Sequence, residues 1–199
     1  MTYIIIISVL IGIGCGYFIF PPEVINNMDS VTSISLFILI FLVGIDIGGN
    51  KKLIEDIKNL GLRVLIIPFG GAIGSLLGGL IIGTIFNMSI NEGLSIGSGF
   101  GWYSLSGIML KDLGGEALGA ISFLSNVFRE LLAVILIPVL AKKFNGYTAI
   151  APAGATSMDT TLPLISKATN SEVAVVAFIN GVVLSSLVPI FVPFFYNLF

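Results

Sequence analysis

Five stretches of the chain are almost unbroken in apolar residues: 3–20, 31–48, 61–86, 115–140 and 173–195. A helix that crosses a bilayer needs roughly 20 such residues, so each stretch predicts a membrane span. Pro21-Pro22 ends the first, because proline lacks the N–H and clashes with the preceding turn. Gly48-Gly49-Asn50 is a helix stop for the second. In the third, Gly70, Gly74 and Gly78 fall four apart, a spacing that lets another helix approach closely. The first stretch has no basic leader and no small-residue cleavage site, so it is expected to be a retained span, with Cys15 a small packing residue.

Two further segments are apolar enough to enter a bilayer but too broken to face lipid. Residues 91–110 hold Gly93, Gly97, Gly99, Gly101 and Gly107 among four serines. Residues 147–168 hold Pro152, Gly154, Asp159 and Pro163, with Thr156, Ser157, Thr160 and Thr161. Irregular backbone survives at membrane depth only where protein or a wet cavity satisfies it. Both segments therefore predict re-entrant or broken-helix hairpins.

Lysines and arginines of short loops favour the cytoplasm. Lys51, Lys52, Lys58 and Arg63 place the loop at 50–63 inside, and the base-free loop at 21–30 outside. If 91–110 turns back, Lys142-Lys143 also lie inside; if it crossed, they would lie outside. The charges favour the hairpin, a cytoplasmic N-terminus and an external C-terminus. The predicted fold is an all-α integral membrane protein with about five spans and two hairpins. It divides into a two-helix lead-in at 1–60, span plus hairpin at 61–110, span plus hairpin at 115–168, and a final span at 172–199. Successive span–hairpin units start on opposite sides, and at an offset of about 55 residues Ser98-Gly99 falls on Ala153-Gly154 and Ser104 on Asp159. Such inverted repeats are a recurring design of secondary transporters.

Composition narrows the chemistry. Charged residues are 10% of the chain, against about 25% in a soluble domain. Nine bases against eleven acids leave no basic field for nucleic acid. With no histidine and one cysteine, His-based triads, His-ligated metals, thiolate clusters and an intrachain disulfide are excluded, and no metal or cofactor is expected. Ser104-Leu-Ser-Gly107 has no histidine to activate a serine, and Asp46 and Asp159 lack the Gly-x-Gly-Asp setting of an intramembrane aspartyl protease. An enzyme is not expected.

An ionisable group inside a membrane costs about 2.5–3.5 kcal/mol on insertion scales and is a functional candidate by default. Asp46 lies near a span end, where its charge reaches the interface cheaply. Asp159 is the leading candidate. Thr156 or Ser157 is placed to cap a half-helix starting after Gly154, and such an N-terminus favours a carboxylate or an anionic substrate group. Thr160 adjoins it. Burial opposes the Asp159 charge, and a carboxylate between these influences exchanges a proton or binds an ammonium group. Ser122, Asn126 and Glu130 share one face of the fourth span with Ser125 and Arg129 a step round; the alternative there is a structural ion pair. Gly99-Phe-Gly-Trp-Tyr-Ser-Leu-Ser-Gly107 puts aromatics among glycines and serines. Gly101, Tyr103, Ser104 and Ser106 are its candidates for ligating a cation or lining a path, with Trp102 alternatively an interface anchor.

That motif, together with Arg129-Glu-Leu131, Gly154-Ala-Thr-Ser-Met-Asp159, Thr161-Leu-Pro163, Leu187-Val-Pro189 and Phe41-Leu-Val-Gly-Ile45, resembles the LysO-type lysine exporters of bacteria over nearly the whole chain. The resemblance implies a secondary exporter of L-lysine and toxic lysine analogues in the inner membrane of a bacterium or archaeon, coupled to proton entry, with Asp159 important for transport. Single-chain members of that family carry an extra N-terminal block of spans. Either a small separate membrane protein supplies it, or the short form assembles as an oligomer. On this reading the half-helix ends around Ala155–Ser157 suit the lysine carboxylate, and Asp159 with Glu130 suits an ammonium. The rival expectations are a subunit inactive without its partner and a channel-like cation pathway.

Overall fold

The computed structural model describes residues 61–198 continuously and scattered positions among residues 1–60. The chain forms two compact units, Met1–Gly48 and Gly49–Phe199. In the first, residues 14–18 are helical, and the Ile19 and Phe20 N–H groups both close on the Cys15 carbonyl just before Pro21. Elsewhere in the two lead-in spans only scattered positions are described, and the loop charges at 51, 52 and 58 and Asp46 lie outside the described residues.

The second unit is helical, with no strand among the described residues. A 3-10 turn at Leu62–Leu65 leads into α1, Ile66–Ile85. Ser89 then opens α2, Ile90–Gly97, with a capping box. Its hydroxyl accepts from the Glu92 N–H at 3.2 Å while the Glu92 carboxylate accepts from the Ser89 N–H at 2.9 Å. After a break comes α3, Tyr103–Gly114, and Gly115 in a left-handed conformation (φ 89°) turns the chain into α4, Glu116–Lys143. Two short 3-10 turns follow, Thr148–Ile150 and Gly154–Met158, and then α5, Leu162–Ala168. Asn170 caps α6, Ser171–Tyr196, accepting from the Val173 N–H at 2.9 Å.

Among the described residues α1, α4 and α6 are each long and apolar enough to cross a membrane. They coincide with the last three predicted spans, and the protein is an all-α membrane protein. Their surroundings differ. In the most apolar window, 56% of α6 is buried against 17% for each of α1 and α4. Ile66, Phe69, Ile73, Leu77, Ile81 and Ile85 run down one exposed stripe of α1, at the helical spacing that suits lipid.

Both broken segments are present as hairpins, α2–break–α3 and the two 3-10 turns with α5, and α3 runs on past Leu110 to Gly114. Close helix approach falls on other glycines than the sequence spacing suggests. A Cβ added at Gly70, Gly74 or Gly78 meets nothing within 4 Å. One at Gly97 would stand 2.7 Å from the Ser75 carbonyl, one at Gly83 2.9 Å from Gly93 Cα, and one at Gly79 would collide with the Gly93 carbonyl. The α1–α2 seam is therefore backbone against backbone. Gly107 and Gly119 form a similar seam between α3 and α4.

Candidate functional site

The two breaks meet. The Ala155 N–H donates to the Phe100 carbonyl at 2.8 Å. Both tips need left-handed backbone, at Phe100 (φ 48°) and Gly101 (φ 101°) on one side and Gly154 (φ 61°) on the other. Such angles cost little only for glycine. A side chain at Gly154 would also collide with the Phe100 carbonyl and stand 2.9 Å from Arg129 Nη2.

Each tip is held by a helix on either side of its hairpin. Ahead of the first, Ser75 on α1 donates to the Gly97 carbonyl at 2.7 Å. Behind it, Asn126 on α4 accepts from the Gly101 N–H at 2.7 Å and donates to the Ser122 carbonyl at 3.0 Å and the Ser106 hydroxyl at 3.4 Å. Ahead of the second, Arg129 on α4 donates from Nε to the Pro152 carbonyl at 3.1 Å and from Nη2 to the Ala151 carbonyl at 3.4 Å. Behind it, Asn180 on α6 donates to the Gly154 carbonyl at 3.0 Å and the Ser157 hydroxyl at 2.9 Å. The pins repeat at one spacing. Ser75 and Arg129 lie 54 residues apart, as do Asn126 and Asn180, and as do the bonded carbonyls of Gly97 and Ala151. Ser75 and Arg129 also touch, Nη1 donating to the Ser75 hydroxyl at 2.9 Å.

Several candidate residues belong to this frame. Ser106 is fully buried and donates to the Trp102 carbonyl at 2.9 Å. Thr156 donates to the Ala153 carbonyl at 2.9 Å. Ser157, also fully buried, donates to the Gly154 or Ala177 carbonyl, both at 2.7 Å. The Thr156 and Ser157 hydroxyls thus tie the hairpin to itself and to α6, so they do not cap a half-helix toward an open site. No buried side-chain N or O among the described residues lacks a partner.

The acidic candidates face elsewhere. Asp159 and Thr160 are exposed, and the Asp159 carboxylate accepts from the Thr160 N–H and hydroxyl in its own turn. Glu130 is half-buried. The Tyr103 hydroxyl lies in the electrostatic range of both carboxylates, and its ring meets Phe123 edge-on at 5.4 Å. Exposed Ser104 follows it at the start of α3. Among the described residues no ion pair joins Arg129 to Glu130 or Asp159, so the alternative of a structural pair is not realised there. Lys111 pairs at 4.0 Å with Glu116, on the surface.

Beside Arg129, a cavity of about 920 Å³ lies between the α1–α2 seam and α4. Ser75, Ser125, Asn126 and Arg129 make its polar end; Ile82 and Phe86 stand among its apolar walls. Two pins, Ser75 and Asn180, were not predicted. Each is one of a few polar residues in an apolar helix. Carrying the spacing on from Asn126 leads to Asn180, and carrying it back from Arg129 leads to Ser75.

A family model described as lysine exporter LysO matches residues 6–196. The lysine exporter LysO of Escherichia coli K12 is 39% identical over 171 residues, covering 86% of this chain and 56% of that relative. A putative lysine exporter of Haemophilus influenzae Rd is 35% identical over 191 residues, covering 96% and 94% respectively. The chain thus spans little more than half the length of the first relative and nearly all of the second. No solved structure matches.

Proposed function

The chain belongs to the lysine exporter LysO family, and from this we propose that it is a secondary carrier, not an enzyme, that moves L-lysine out of the cytoplasm in exchange for protons. The observation that carries the reading is the meeting of two broken hairpins at one backbone hydrogen bond, with the charges of Glu130 and Asp159 both acting on Tyr103. Discontinuous segments meeting in the bilayer are how secondary carriers expose backbone and charge to a small solute. A lysine ammonium group suits the two carboxylates, with Tyr103, Ser104 and Thr160 as neutral neighbours. Gly101, Ser106, Asn126, Gly154, Thr156 and Ser157 act as the frame that holds the tips. Arg129 belongs to the frame and faces the cavity.

Five spans and two hairpins complete the proposed topology, two spans in the lead-in and α1, α4 and α6 beyond it. Two helix–hairpin units inserted in opposite senses make an inverted repeat, and the pins recurring every 54 residues support it. The loop charges favour an inside N-terminus and an outside C-terminus in a bacterial inner membrane.

Export follows from alternating access. Lysine enters from the cytoplasm while Asp159 is ionised. Protonation from outside weakens the ion pair, lysine leaves, and the proton is released inward when the carrier resets. The test is lysine efflux from cells lacking their own exporter, loaded with a lysine dipeptide and expressing this chain. Wild-type efflux is expected, with at least a tenfold loss in Asp159→Asn at equal membrane abundance. Normal efflux by that variant overturns the role of Asp159. Efflux appearing only with a co-expressed small membrane protein assigns the pathway to a two-chain carrier, and ionic current without proton coupling assigns it to a channel.

A further inference from the structure

Arg129 makes three hydrogen bonds in the structure, to the Ser75 hydroxyl and to the Pro152 and Ala151 carbonyls, and all three acceptors are neutral. A guanidinium has five N–H donors, so two remain. No carboxylate among the described residues pairs with it. A cation held at membrane depth without a counter-ion is costly, and an anion is its physical complement. The space for one adjoins it. Arg129 lines the cavity between the α1–α2 seam and α4, where the Ser125 and Asn126 side chains stand beside it and Ile82 and Phe86 provide apolar wall. The neighbouring Glu130 makes no ion pair with it, and its charge acts on Tyr103. The site therefore combines a guanidinium that lines the cavity with two carboxylates whose charges both act on Tyr103.

We propose that Arg129 is the receptor for the α-carboxylate of the transported amino acid, which enters this cavity and engages the two remaining N–H groups. The planar fork of arginine matches a carboxylate in a way that a lysine ammonium does not. The inference rests on the lysine-carrier reading and moves the carboxylate from the half-helix ends around Ala155–Ser157, whose hydroxyls are bonded inward, to α4. It assigns specificity: α-amino acids are taken, and the decarboxylated diamine is refused. A site built to bond a polar group rejects the analogue lacking it far more strongly than an apolar pocket rejects a missing methylene.

The experiment is binding of lysine and of 1,5-diaminopentane to the purified full chain by titration calorimetry. The wild type is expected to prefer lysine at least tenfold. Arg129→Gln should weaken lysine at least tenfold more than the diamine, erasing the preference; Arg129→Lys should restore only part of it. Leu132→Trp, at an exposed position on the cavity wall, narrows the cavity without touching the pins and should weaken lysine alone. That keeps the inference testable if the arginine variants fail to fold. Equal affinity of the wild type for both ligands overturns the proposal, as does full lysine preference in Arg129→Gln or Leu132→Trp. A wild type that binds neither ligand overturns the lysine-carrier reading itself.

Discussion

The first hairpin reaches its break through eight-residue α2 and leaves through twelve-residue α3, whereas the second is made of two 3-10 turns and seven-residue α5. In the first, a capping box and two glycine seams lock each half to a neighbouring helix, and the tip donors and acceptors bond within the protein. In the second, Pro152 and Pro163 remove backbone donors, and carbonyls outside regular helix at 151 and 152 turn to Arg129. Asp159 stands in that looser backbone, exposed and bonded only to its own turn. Regular helix holds position because its polar groups are satisfied along its own axis. Irregular backbone presents groups to something else. On the proposed function, support falls to the first hairpin and charge handling to the second.

The strongest challenge to that comparison is Gly154→Ala. It adds a Cβ where φ is 61° and the Phe100 carbonyl already sits. Strain of this kind is on the order of 1–3 kcal/mol before the collision is counted. Transport should be lost, and thermal unfolding in detergent should show a clear drop. Wild-type behaviour would mean that the tips need not meet.

Next come the paired asparagines. Asn126→Ala leaves the buried Gly101 N–H without a partner, at about 1–3 kcal/mol, and Asn180→Ala leaves the Gly154 carbonyl to the Ser157 hydroxyl alone. Hydrogen exchange should open residues 98–102 in the first variant and 153–159 in the second. Opening of both tips by either variant would mean that the hairpins move as one body. A smaller contrast lies along α1. Gly79→Ala should destabilise by about 1–3 kcal/mol as the Gly93 carbonyl is displaced. Gly74→Ala, in open space, should be neutral or stabilise by up to about 1 kcal/mol through helix propensity. Equal thermal stability of the two variants would refute the seam.

The smallest expected effect is at the entrance to the second hairpin, where Tyr147 donates to Glu172 at 2.9 Å. The carboxylate holds the Tyr147 hydroxyl above its ordinary range, through the bond first and its charge second. A raised value stabilises the protonated form, so any contribution is present below about pH 10 and fades above it. The pair is exposed, so Tyr147→Phe should change unfolding little at pH 7. A large loss there would mean that the entrance, rather than the tip, holds the second hairpin.

The three long helices were legible because an apolar run of that length has few other fates. Residues 61–86, 115–140 and 173–195 were expected, and α1, α4 and α6 occupy 66–85, 116–143 and 171–196. The breaks were legible because glycine, proline and hydroxyl residues in an apolar setting conflict with both lipid and helix. The seams were not, because α1 carries glycine at 70, 71, 74, 78, 79, 83, and spacing alone does not tell which face meets a neighbour. Nor was the inward turn of Thr156 and Ser157, since a hydroxyl near a break serves a ligand or its own backbone with equal ease. Arg129 read as a site candidate, with a structural ion pair as the alternative because a carboxylate adjoins it in sequence. Its actual acceptors are the Ser75 hydroxyl and two carbonyls on other segments, to which sequence patterning is blind.

The bond between Ala155 N–H and the Phe100 carbonyl is made by main chain on both sides. Genetic drift at either position can change bulk but not this link, and every ordinary codon at 155 retains the donor; proline alone deletes it. An alanine scan passes over it, and so does any inventory of invariant side chains. The join between the hairpins is written in the path of the backbone rather than in a side chain.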